Sequence, residues 1–374
     1  MGKRALVVGL GIAGMSAAIG LRRAGWTPVI VERAAARRTG GYFIGVLPLG
    51  RQAADDLGID IHVRNPEGRA WAIDRRGERA PGLGFLDQPG RPAAVVRGDI
   101  EAALWERLDA EVRFATTPVA FAETGAGVEV TLAGPATRTE TFDLVVGADG
   151  MRSTVRQLVF GPHERFLTNW DAMICAFPLE RQVPGFGPED SVTSARAGRA
   201  AWVFGFTDRP PTALLTYRTK HRIFPADHAA HLRDVFAGMD DVAVRHVLDS
   251  LESAPDHLFD SVHQVRMRRW SSGRVLLLGD AAWCLNLYSG MGATAGLYGG
   301  VELGRALGEH PGDLGASLAA WEGRLRPLIT RHQRVTRLKQ QLFVPSGVVA
   351  EGVRSALLRT AGRSRRRRAL AAVS

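Results

Sequence analysis

The stretch KRALVVGLGIAGMSAAIGLRRAGWTPVIVER, residues 3–33, decides the fold of the first part of the chain. It reads as an apolar strand, a glycine-rich turn, a helix that ends at Gly25 and a second apolar strand. In the turn GLGIAG, Gly9 permits a tight bend, Gly11 lets a pyrophosphate approach the backbone, and Gly14 allows the helix to pack closely on the strand. This order of elements predicts a Rossmann-like α/β unit.

A carboxylate stands where the second strand ends. Glu32 lies 18 residues beyond Gly14, where an acid accepts hydrogen bonds from both ribose hydroxyls of a bound nucleotide. An acid at this place disfavours a 2′-phosphate, so the expected ligand is FAD or NAD. The start of the helix adds free N–H groups and a positive dipole end that favour a pyrophosphate. The alternative is a glycine-rich packing turn. The predicted dinucleotide site comprises Gly9, Gly11, Ile12, Ala13, Gly14, Glu32 and Arg33.

Two later stretches each join a buried apolar strand to a Gly and an Asp. The first is DLVVGADGMRS, residues 143–153, and the second is VLLLGDAAWCLNLYSGMG, residues 275–292. Taken singly, Asp149 or Asp280 at the end of a strand is explained by the capping of the next turn. The order of all three motifs along one chain is more specific than any one of them.

Together the three motifs resemble those of the group A flavin-dependent aromatic monooxygenases, the p-hydroxybenzoate hydroxylase-like class. That family has an N-terminal GxGxxG, a central DG and a late GD motif, and the resemblance covers residues 4–335. It implies an enzyme that binds FAD and uses NADPH or NADH as a transient co-substrate. By resemblance, the GxGxxG motif serves the ADP half of FAD, and Arg97 approaches the flavin side.

The same resemblance assigns roles to the other two motifs. Asp149 and Gly150 match the DG motif, which is associated with FAD and with NAD(P)H handling. Asp280 matches the acid that holds the ribityl chain and the pyrophosphate region. Backbone N–H groups at a helix start can stabilise the negative charge of a reduced flavin. The amides that would face the isoalloxazine in this way belong to the loop with Gly290, Gly292 and Ala293.

The third motif departs from the family pattern at three positions. Trp283 stands where many relatives have His, Leu287 where many have Pro, and Gly299 where many have Asp. These changes leave the FAD prediction in place, whereas they bear on the chemistry beside the flavin. Cys284 lies in the same loop, and we interpret it as a small buried residue, the alternative being a covalent link to the flavin.

The remaining elements suggest how the chain is divided. The helix RGDIEAALWERL, residues 97–108, has Asp99 as its predicted N-cap. Alternating strands between residues 165 and 265 indicate an antiparallel sheet. We therefore predict an α/β protein with a discontinuous Rossmann-like FAD-binding domain (residues 1–69, 95–164 and 267–325). The substrate-binding domain is predicted at residues 70–94 and 165–266, and a C-terminal helical segment with a basic tail at residues 326–374.

The sequence indicates the residues that would contact the substrate less clearly than those that would hold the cofactor. AWVFGF alternates Trp202, Phe204 and Phe206 on one face of a strand, which indicates either sheet core or an apolar pocket wall. No residue stands out as a general base, as expected where a flavin performs the oxygen chemistry. The candidate pocket residues are Tyr42, Trp202, Phe204, Tyr217, Trp283 and Leu287.

Composition narrows the class of protein. The chain has 374 residues and a net charge of +10, of which residues 351–374 contribute +6. We interpret RSRRRR at residues 363–368 as a solvated helix end or tail, so we expect no nucleic-acid partner. There is no apolar run of 18 residues, so we expect no membrane partner.

Two cysteines do not make a disulfide framework and favour a cytoplasmic location. His228 and His231 lack a third metal ligand, and we predict no metal site.

These observations predict an FAD-dependent monooxygenase that uses NAD(P)H and O2 to hydroxylate or epoxidise an organic substrate. We expect an aromatic or polyketide-like secondary metabolite as that substrate, and a monomer or homodimer as the assembly. One alternative is a flavoprotein oxidase or dehydrogenase on the same fold, without oxygen insertion. The other is a flavin-bound regulatory or RNA-binding protein that uses the arginine-rich tail.

Overall fold

In the computed structural model, residues 2–37, 40–82, 84, 88, 90–254 and 256–357 are described. The chain divides into two compact units. The first unit comprises Met1–His62, Val95–Thr168 and His263–Val335, and the second comprises Val63–Ala94, Asn169–Val262 and Thr336–Ser374.

The strands and helices follow one another along both units. In chain order the strands are β1 (Arg4–Val8), β2 (Thr27–Val31), β3 (Phe43–Val46), β4 (Ala70–Ile73), β5 (Arg79–Pro81), β6 (Ala93–Val96), β7 (Glu111–Arg113), β8 (Thr117–Thr124), β9 (Gly127–Ala133), β10 (Arg138–Phe142), β11 (Leu144–Gly147), β12 (Leu167–Pro178), β13 (Ser191–Arg196), β14 (Arg199–Phe204), β15 (Thr212–Arg218), β16 (Leu258–Val265), β17 (Ser271–Ser272) and β18 (Val275–Leu277). The α-helices are α1 (Ile12–Arg23), α2 (Pro48–Leu57), α3 (Arg97–Glu106), α4 (Thr154–Val159), α5 (His228–Val235), α6 (Val242–Ser253), α7 (Asp280–Trp283), α8 (Gly292–Glu309) and α9 (Leu314–Phe343).

The first unit is built on a six-stranded sheet in the order β17-β18-β11-β1-β2-β7. All its pairs are parallel except β17 with β18. Strand β1 and the strands on either side of it are almost wholly buried, which explains why they read as continuous apolar runs. The three predicted motifs all follow strands of this sheet, namely β1, β11 and β18, which lie next to one another. The sheet therefore carries the three motifs at one edge, because the carboxyl ends of parallel strands meet there.

Helices α1 and α8 of the first unit pack backbone to backbone. A Cβ placed on Gly20 of α1 would lie 2.3 Å from the carbonyl oxygen of Gly300 in α8. A Cβ on Gly300 would lie 2.4 Å from the backbone of Ser16, and one on Gly304 would lie 2.5 Å from the carbonyl oxygen of Gly20. No side chain fits at these contacts, so the glycine spacing in α8 sets the distance between the two helices.

The second unit contains a seven-stranded sheet in the order β16-β12-β15-β14-β13-β4-β5. The pairing of β12, β15, β14 and β13 is antiparallel, and β13 pairs in parallel with β4. Its core joins residues of the sheet such as Cys175, Val203 and Leu215 to α5 and α6 through Leu232 and Val247. A parallel first sheet and a largely antiparallel second sheet confirm the predicted α/β fold class.

Two expectations about helices need correction. Helix α3 begins at Arg97 with Val96 as its N-cap, so Asp99 lies within the first turn and does not cap the helix. The predicted start of the C-terminal helical segment at residue 326 falls inside α9, which runs without a break through Pro327 to Phe343. The division between the two units falls within α9, after Val335. The arginine-rich stretch 363–368 lies outside the described residues. Among the described residues, no helix has the length and hydropathy needed to cross a membrane.

Candidate functional site

A cavity of about 380 Å³ opens in the first unit, where the first two motifs meet, and no residue of the third motif lines it. A larger, shallower hollow of about 620 Å³ runs along α9. It is lined by that helix alone and contains no carboxylate, so we assign it no site. The 380 Å³ cavity is lined by residues of the first two motifs and by Arg97. Of the predicted site residues, it brings together Gly9, Gly11, Glu32, Arg33, Arg97, Asp149 and Gly150.

The glycines of the first motif have different environments. A Cβ on Gly9 would lie 2.6 Å from the carbonyl oxygen of Ala148, and one on Gly14 would lie 2.0 Å from that of Gly9. These two glycines are therefore required by the fold itself. A Cβ on Gly11 would meet no atom within 4 Å, and Gly11 lines the cavity as the N-cap of α1. The open space beside Gly11, together with the N–H groups of Ile12 and Ala13 in the first turn, fits a pyrophosphate.

Glu32 is held at the cavity by two backbone N–H groups. Leu10 N donates to Glu32 Oε2 and Ala34 N donates to Glu32 Oε1, both at 2.9 Å. Each carboxylate oxygen retains a further lone pair. Glu32 is half-buried and lines the cavity, so these lone pairs are available to the two hydroxyls of a ribose. The residues therefore fit an adenosine nucleotide without a 2′-phosphate.

Asp149 of the second motif caps the helix that follows it. Ser153 Oγ donates to Asp149 Oδ1 at 2.6 Å, and the backbone nitrogens of Thr154 and Val155 donate to Oδ2 at 2.7 and 3.1 Å. Burial raises the pKa of Asp149, and these hydrogen bonds oppose the shift. The capping role that the sequence left open is therefore real, and Asp149 and Gly150 also line the cavity.

Arg156, which the sequence analysis missed, connects the second motif to the third. Its side chain is fully buried. Arg156 Nη1 donates to the carbonyl oxygen of Ala281 at 2.8 Å, and Nη2 donates to that of Met151 at 2.6 Å and lies 3.0 Å from His163 Nδ1. Burial lowers the pKa of Arg156, and the charge of Asp149 opposes this shift. The sequence TVRQLV has no local signal that distinguishes Arg156 from an ordinary helix residue.

Asp280 of the third motif is the first residue of α7 and is solvent-exposed. The protein atoms around it nevertheless raise its pKa by desolvation, and the positive charge of Arg97 opposes that effect. The Cys284 thiol bonds to Asp280 and also lies 3.7 Å from the carbonyl oxygen of His263. Burial raises the pKa of Cys284 well above its usual value. A buried, protonated thiol supports the interpretation of Cys284 as a small buried residue.

Arg97 lines the cavity, and Tyr42 lies beside it. Arg97 N donates to the carbonyl oxygen of Tyr42 at 3.2 Å, and its side chain pairs with Glu101 at 3.0 Å. Burial acts to lower the pKa of Arg97, but Glu101 and Tyr42 outweigh it, so the pKa is raised. Arg97 therefore presents a fixed positive charge toward Asp280.

The loop after α7 leaves its backbone accessible. Gly290 has a φ of +65° after a short 3-10 helix at Leu287–Ser289, and Gly292 begins α8. A Cβ on either glycine would meet no atom within 4 Å. Gly292 and Ala293 thus lie in the first turn of a long helix, whose N–H groups have no acceptor within the helix.

The substrate-pocket candidates of the first unit have different exposures. Tyr42 and Leu287 are half-buried. Trp283 is 1% exposed and packs against Trp270 and Trp321, with ring centroids 4.6 and 5.8 Å away. This burial in a tryptophan cluster argues against a pocket role for Trp283. A Cβ on Gly299 would lie 3.4 Å from the Trp283 ring. Gly299 and Trp283 are therefore neighbours at ordinary van der Waals distance, and two of the departures from the family pattern lie side by side.

The candidates of the second unit lie on opposite faces of its sheet. Trp202 and Phe204 stack with centroids 6.0 Å apart, and Trp202 Nε1 donates to the carbonyl oxygen of Phe343 at 3.2 Å. Tyr217 belongs to the core beneath α5 and α6, where its hydroxyl bonds to His231 Nε2 at 2.8 Å. Tyr217 therefore does not share a pocket wall with Trp202. Trp202 pairs with Leu214 and shares its face, whereas Tyr217 lies three residues beyond Leu214 along β15 and points to the other face.

No metal site is apparent among the described residues. His228 Nδ1 lies 2.6 Å from His257 Nε2, whereas His231 bonds to Tyr217. The two histidines of α5 thus have separate partners. Within the described ranges, no group of three His, Cys, Asp or Glu side chains is placed to hold a metal ion.

We expect Asp280→Asn to lower FAD affinity by roughly tenfold, because a hydrogen bond to a charged group contributes about 1.5–3 kcal/mol. The protein without FAD should be at least as stable, since the fold disfavours the ionised carboxyl of Asp280. Any gain in stability should shrink as the pH falls and the parent carboxyl becomes neutral. Flavin fluorescence titration and thermal unfolding measure the two effects. Asp109→Asn, in an exposed ion pair with Arg22, is the control, and equal FAD affinities in the two variants would contradict the assignment.

Known proteins resemble this chain in both sequence and fold. Residues 3–178 match the family model described as FAD binding domain. The chain is 31% identical to the 2-heptyl-3-hydroxy-4(1H)-quinolone synthase of Mycobacteroides abscessus, over 96% of this chain and 94% of that protein. It is 25% identical to a flavin-dependent monooxygenase of Legionella longbeachae, over 88% and 86%. The crystal structure of tetracycline destructase Tet(51) superposes with a TM-score of 0.76 at 25% identity, over 96% of each chain.

Proposed function

Because this chain belongs to the group A FAD-dependent monooxygenase family, we propose that it uses NADPH or NADH and O2 to insert one oxygen atom into an organic substrate. FAD, when bound, accepts the reducing equivalents and activates the oxygen. The observation that carries the proposal is the cavity at Gly11. It combines open space at a helix start with the carboxylate of Glu32 and adjoins the DG motif.

The residues of this chain have distinct roles in the proposal. The start of α1 holds the pyrophosphate, and Glu32 holds the ribose. Asp280 accepts a hydrogen bond from the ribityl chain, beside the fixed charge of Arg97. The amides at Gly290, Gly292 and Ala293 face the flavin ring. The sequence has a single GxGxxG turn. NAD(P)H therefore binds only transiently, and we propose that it does so near Asp149 and Arg152.

We propose an aromatic or polyketide-like compound as substrate, with hydroxylation as the reaction. The relatives support this class, since one is named for a hydroxyquinolone and another for tetracycline. Both names describe ring systems with fused rings. Tyr42 and Leu287, which are half-buried in the first unit, remain the candidates to contact the substrate.

The cellular setting is part of the same proposal. Both cysteines are free and buried, which suits a reducing cytoplasm. We propose a monomer or a homodimer, with the small-molecule substrate and O2 as partners of the site.

We expect the oxidation of NADPH or NADH to be slow alone and to accelerate with the correct aromatic compound. Oxidation of NADPH or NADH is followed by absorbance with each of a panel of such compounds. The mass of the product is then measured by mass spectrometry after turnover in isotopically labelled O2. The product should carry one labelled oxygen atom. A stimulated reaction whose product gains no oxygen would identify an oxidase or dehydrogenase. Failure of both nicotinamides to reduce the flavin would contradict the proposal.

A further inference from the structure

The three acids of the candidate site differ in how the protein holds them. Two backbone N–H groups donate to Glu32, whereas Ser153 Oγ and two backbone N–H groups donate to Asp149. Among the described residues, the carboxyl of Asp280 receives a hydrogen bond from the Cys284 thiol alone. A single donor therefore orients the carboxyl that is proposed to hold the ribityl chain.

The short helix α7 places Cys284 beside Asp280. Asp280 begins this helix and Cys284 caps its end, so the two residues are four apart and lie on the same side of the helix. Cys284 N donates to the carbonyl oxygen of Asp280 at 3.3 Å, which closes the turn between them. The Cys284 side chain is 5% exposed. The thiol therefore contacts Asp280 from the protein interior.

The surroundings of the Cys284 thiol direct its hydrogen at oxygen atoms. The backbone N–H of Asn286 donates to the sulfur, and the positive charge of Arg156 acts on it. Neither of these groups can accept a hydrogen bond. Two acceptors lie near the thiol, namely the carboxyl of Asp280 and the carbonyl oxygen of His263, which is 3.7 Å from the sulfur. Because burial raises the pKa of Cys284 well above its usual value, the thiol stays protonated and remains a donor.

We propose that Cys284 is a positioning residue for FAD, whose S–H group turns the carboxyl of Asp280 toward the ribityl chain. This inference rests on the proposed function, in which Asp280 accepts a hydrogen bond from that chain. A carboxylate has lone pairs for both donors, so the thiol and a ribityl hydroxyl bind at different positions on it. The thiol also favours the ionised carboxyl, as the charge of Arg97 does, whereas desolvation disfavours it.

The FAD affinities of three variants test this role. Cys284→Ala removes the donor, and the dissociation constant for FAD should rise by roughly three- to tenfold, since S–H is a weak donor even to a charged acceptor. Cys284→Ser keeps a donor at this position and should recover most of the lost affinity. Cys175→Ala is the matched control, because Cys175 is also buried but belongs to the core of the second unit. Flavin fluorescence titration measures the affinities, and thermal unfolding without FAD reports any loss of stability.

The pH dependence of FAD binding separates this role from a packing effect. Arg97 of α3 and the Cys284 thiol favour the ionised form of Asp280, and Arg156 of α4 acts on the thiol. Without the thiol donor, the pKa of Asp280 rises further above its usual value. Because FAD favours the ionised carboxyl, its binding should weaken at a higher pH in Cys284→Ala than in the parent. The deficit of the alanine variant is therefore largest at acid pH and shrinks as the pH rises, whereas the serine variant follows the parent.

The Asp280→Asn variant distinguishes a failure of this inference from a failure of the proposed function. If Asp280→Asn binds FAD as the parent does, the assignment of Asp280 is wrong and the role of Cys284 is overturned with it. If Asp280→Asn weakens FAD binding but Cys284→Ala does not, the positioning role alone is overturned. The same conclusion follows if Cys284→Ser binds FAD no better than Cys284→Ala, or if the deficit of Cys284→Ala is equal at every pH.

Discussion

Gly11→Ala protein is expected to fold as the parent does and to lose most of its FAD affinity, by about 100-fold or roughly 2.7 kcal/mol. The added methyl group would meet no protein atom within 4 Å, and Gly11 has an extended backbone that any residue adopts. The methyl group instead enters the cavity, where it keeps a phosphate from the N–H groups at the start of α1. Fold and cofactor binding are therefore separable at this position.

Gly308→Ala is the matched control for this experiment. Gly308 lies in α8, and a Cβ there also meets no atom within 4 Å. Alanine should stabilise the helix by about 0.5–1 kcal/mol and leave FAD affinity unchanged. Thermal unfolding of the FAD-free protein and flavin fluorescence titration measure both quantities. If Gly11→Ala unfolds the protein, or if it retains FAD like the control, the cavity is not the pyrophosphate site.

Replacing the buried Arg156 by methionine is expected to destabilise the protein by about 3 kcal/mol or more. The carbonyl oxygens of Met151 and Ala281 would lose their donor, and each unsatisfied buried group costs about 1–3 kcal/mol. FAD affinity should fall as well, because Arg156 joins the loop of Asp149 to that of Asp280. The loss arises from the positions of these loops, since Arg156 does not line the cavity.

Arg165→Met is the control for the arginine, because Arg165 is exposed and lies beside the ring of Phe166. Its effect should stay within about 0.5 kcal/mol. Urea unfolding of the FAD-free proteins gives the stabilities, and the rise in midpoint on adding FAD reports the remaining affinity. An Arg156→Met protein as stable as Arg165→Met would show that the two motifs are held together by other contacts.

The sequence was sufficient for features that depend on local order. The glycine turn, the strands beside it and the position of Glu32 follow from a motif whose geometry is set by neighbouring residues. The sequence was not sufficient where the outcome depends on what a distant segment covers. Alternation places Trp202 and Phe204 on one face, but only the packing of Phe343 shows that this face is covered.

The same limit explains the residues that were missed. Arg156 has the sequence of an ordinary helix residue, and its burial becomes apparent only when Ala281 is placed beside it. Trp283 is a pocket candidate from the sequence because its motif is expected beside the flavin, yet Trp270 and Trp321 from other segments enclose it in the core. Likewise, the burial of Glu351 depends on Arg75, which lies 276 residues away along the chain.

The contact between α1 and α8 fixes the distance between the first residues of these two helices. Helix α1 begins at the first motif and α8 begins at the third, and their backbones touch at Gly20 and Gly300. At Gly20, Gly300 and Gly304 one helix lies directly against the backbone of the other, so these contacts resist sliding of one helix along the other. The starts of α1 and α8 are therefore held at a fixed separation, which a bound molecule that contacts both of them has to span. In the proposed function FAD spans both helix starts, so we expect FMN, which lacks the adenosine half, to lose the contacts at the start of α1 and at Glu32.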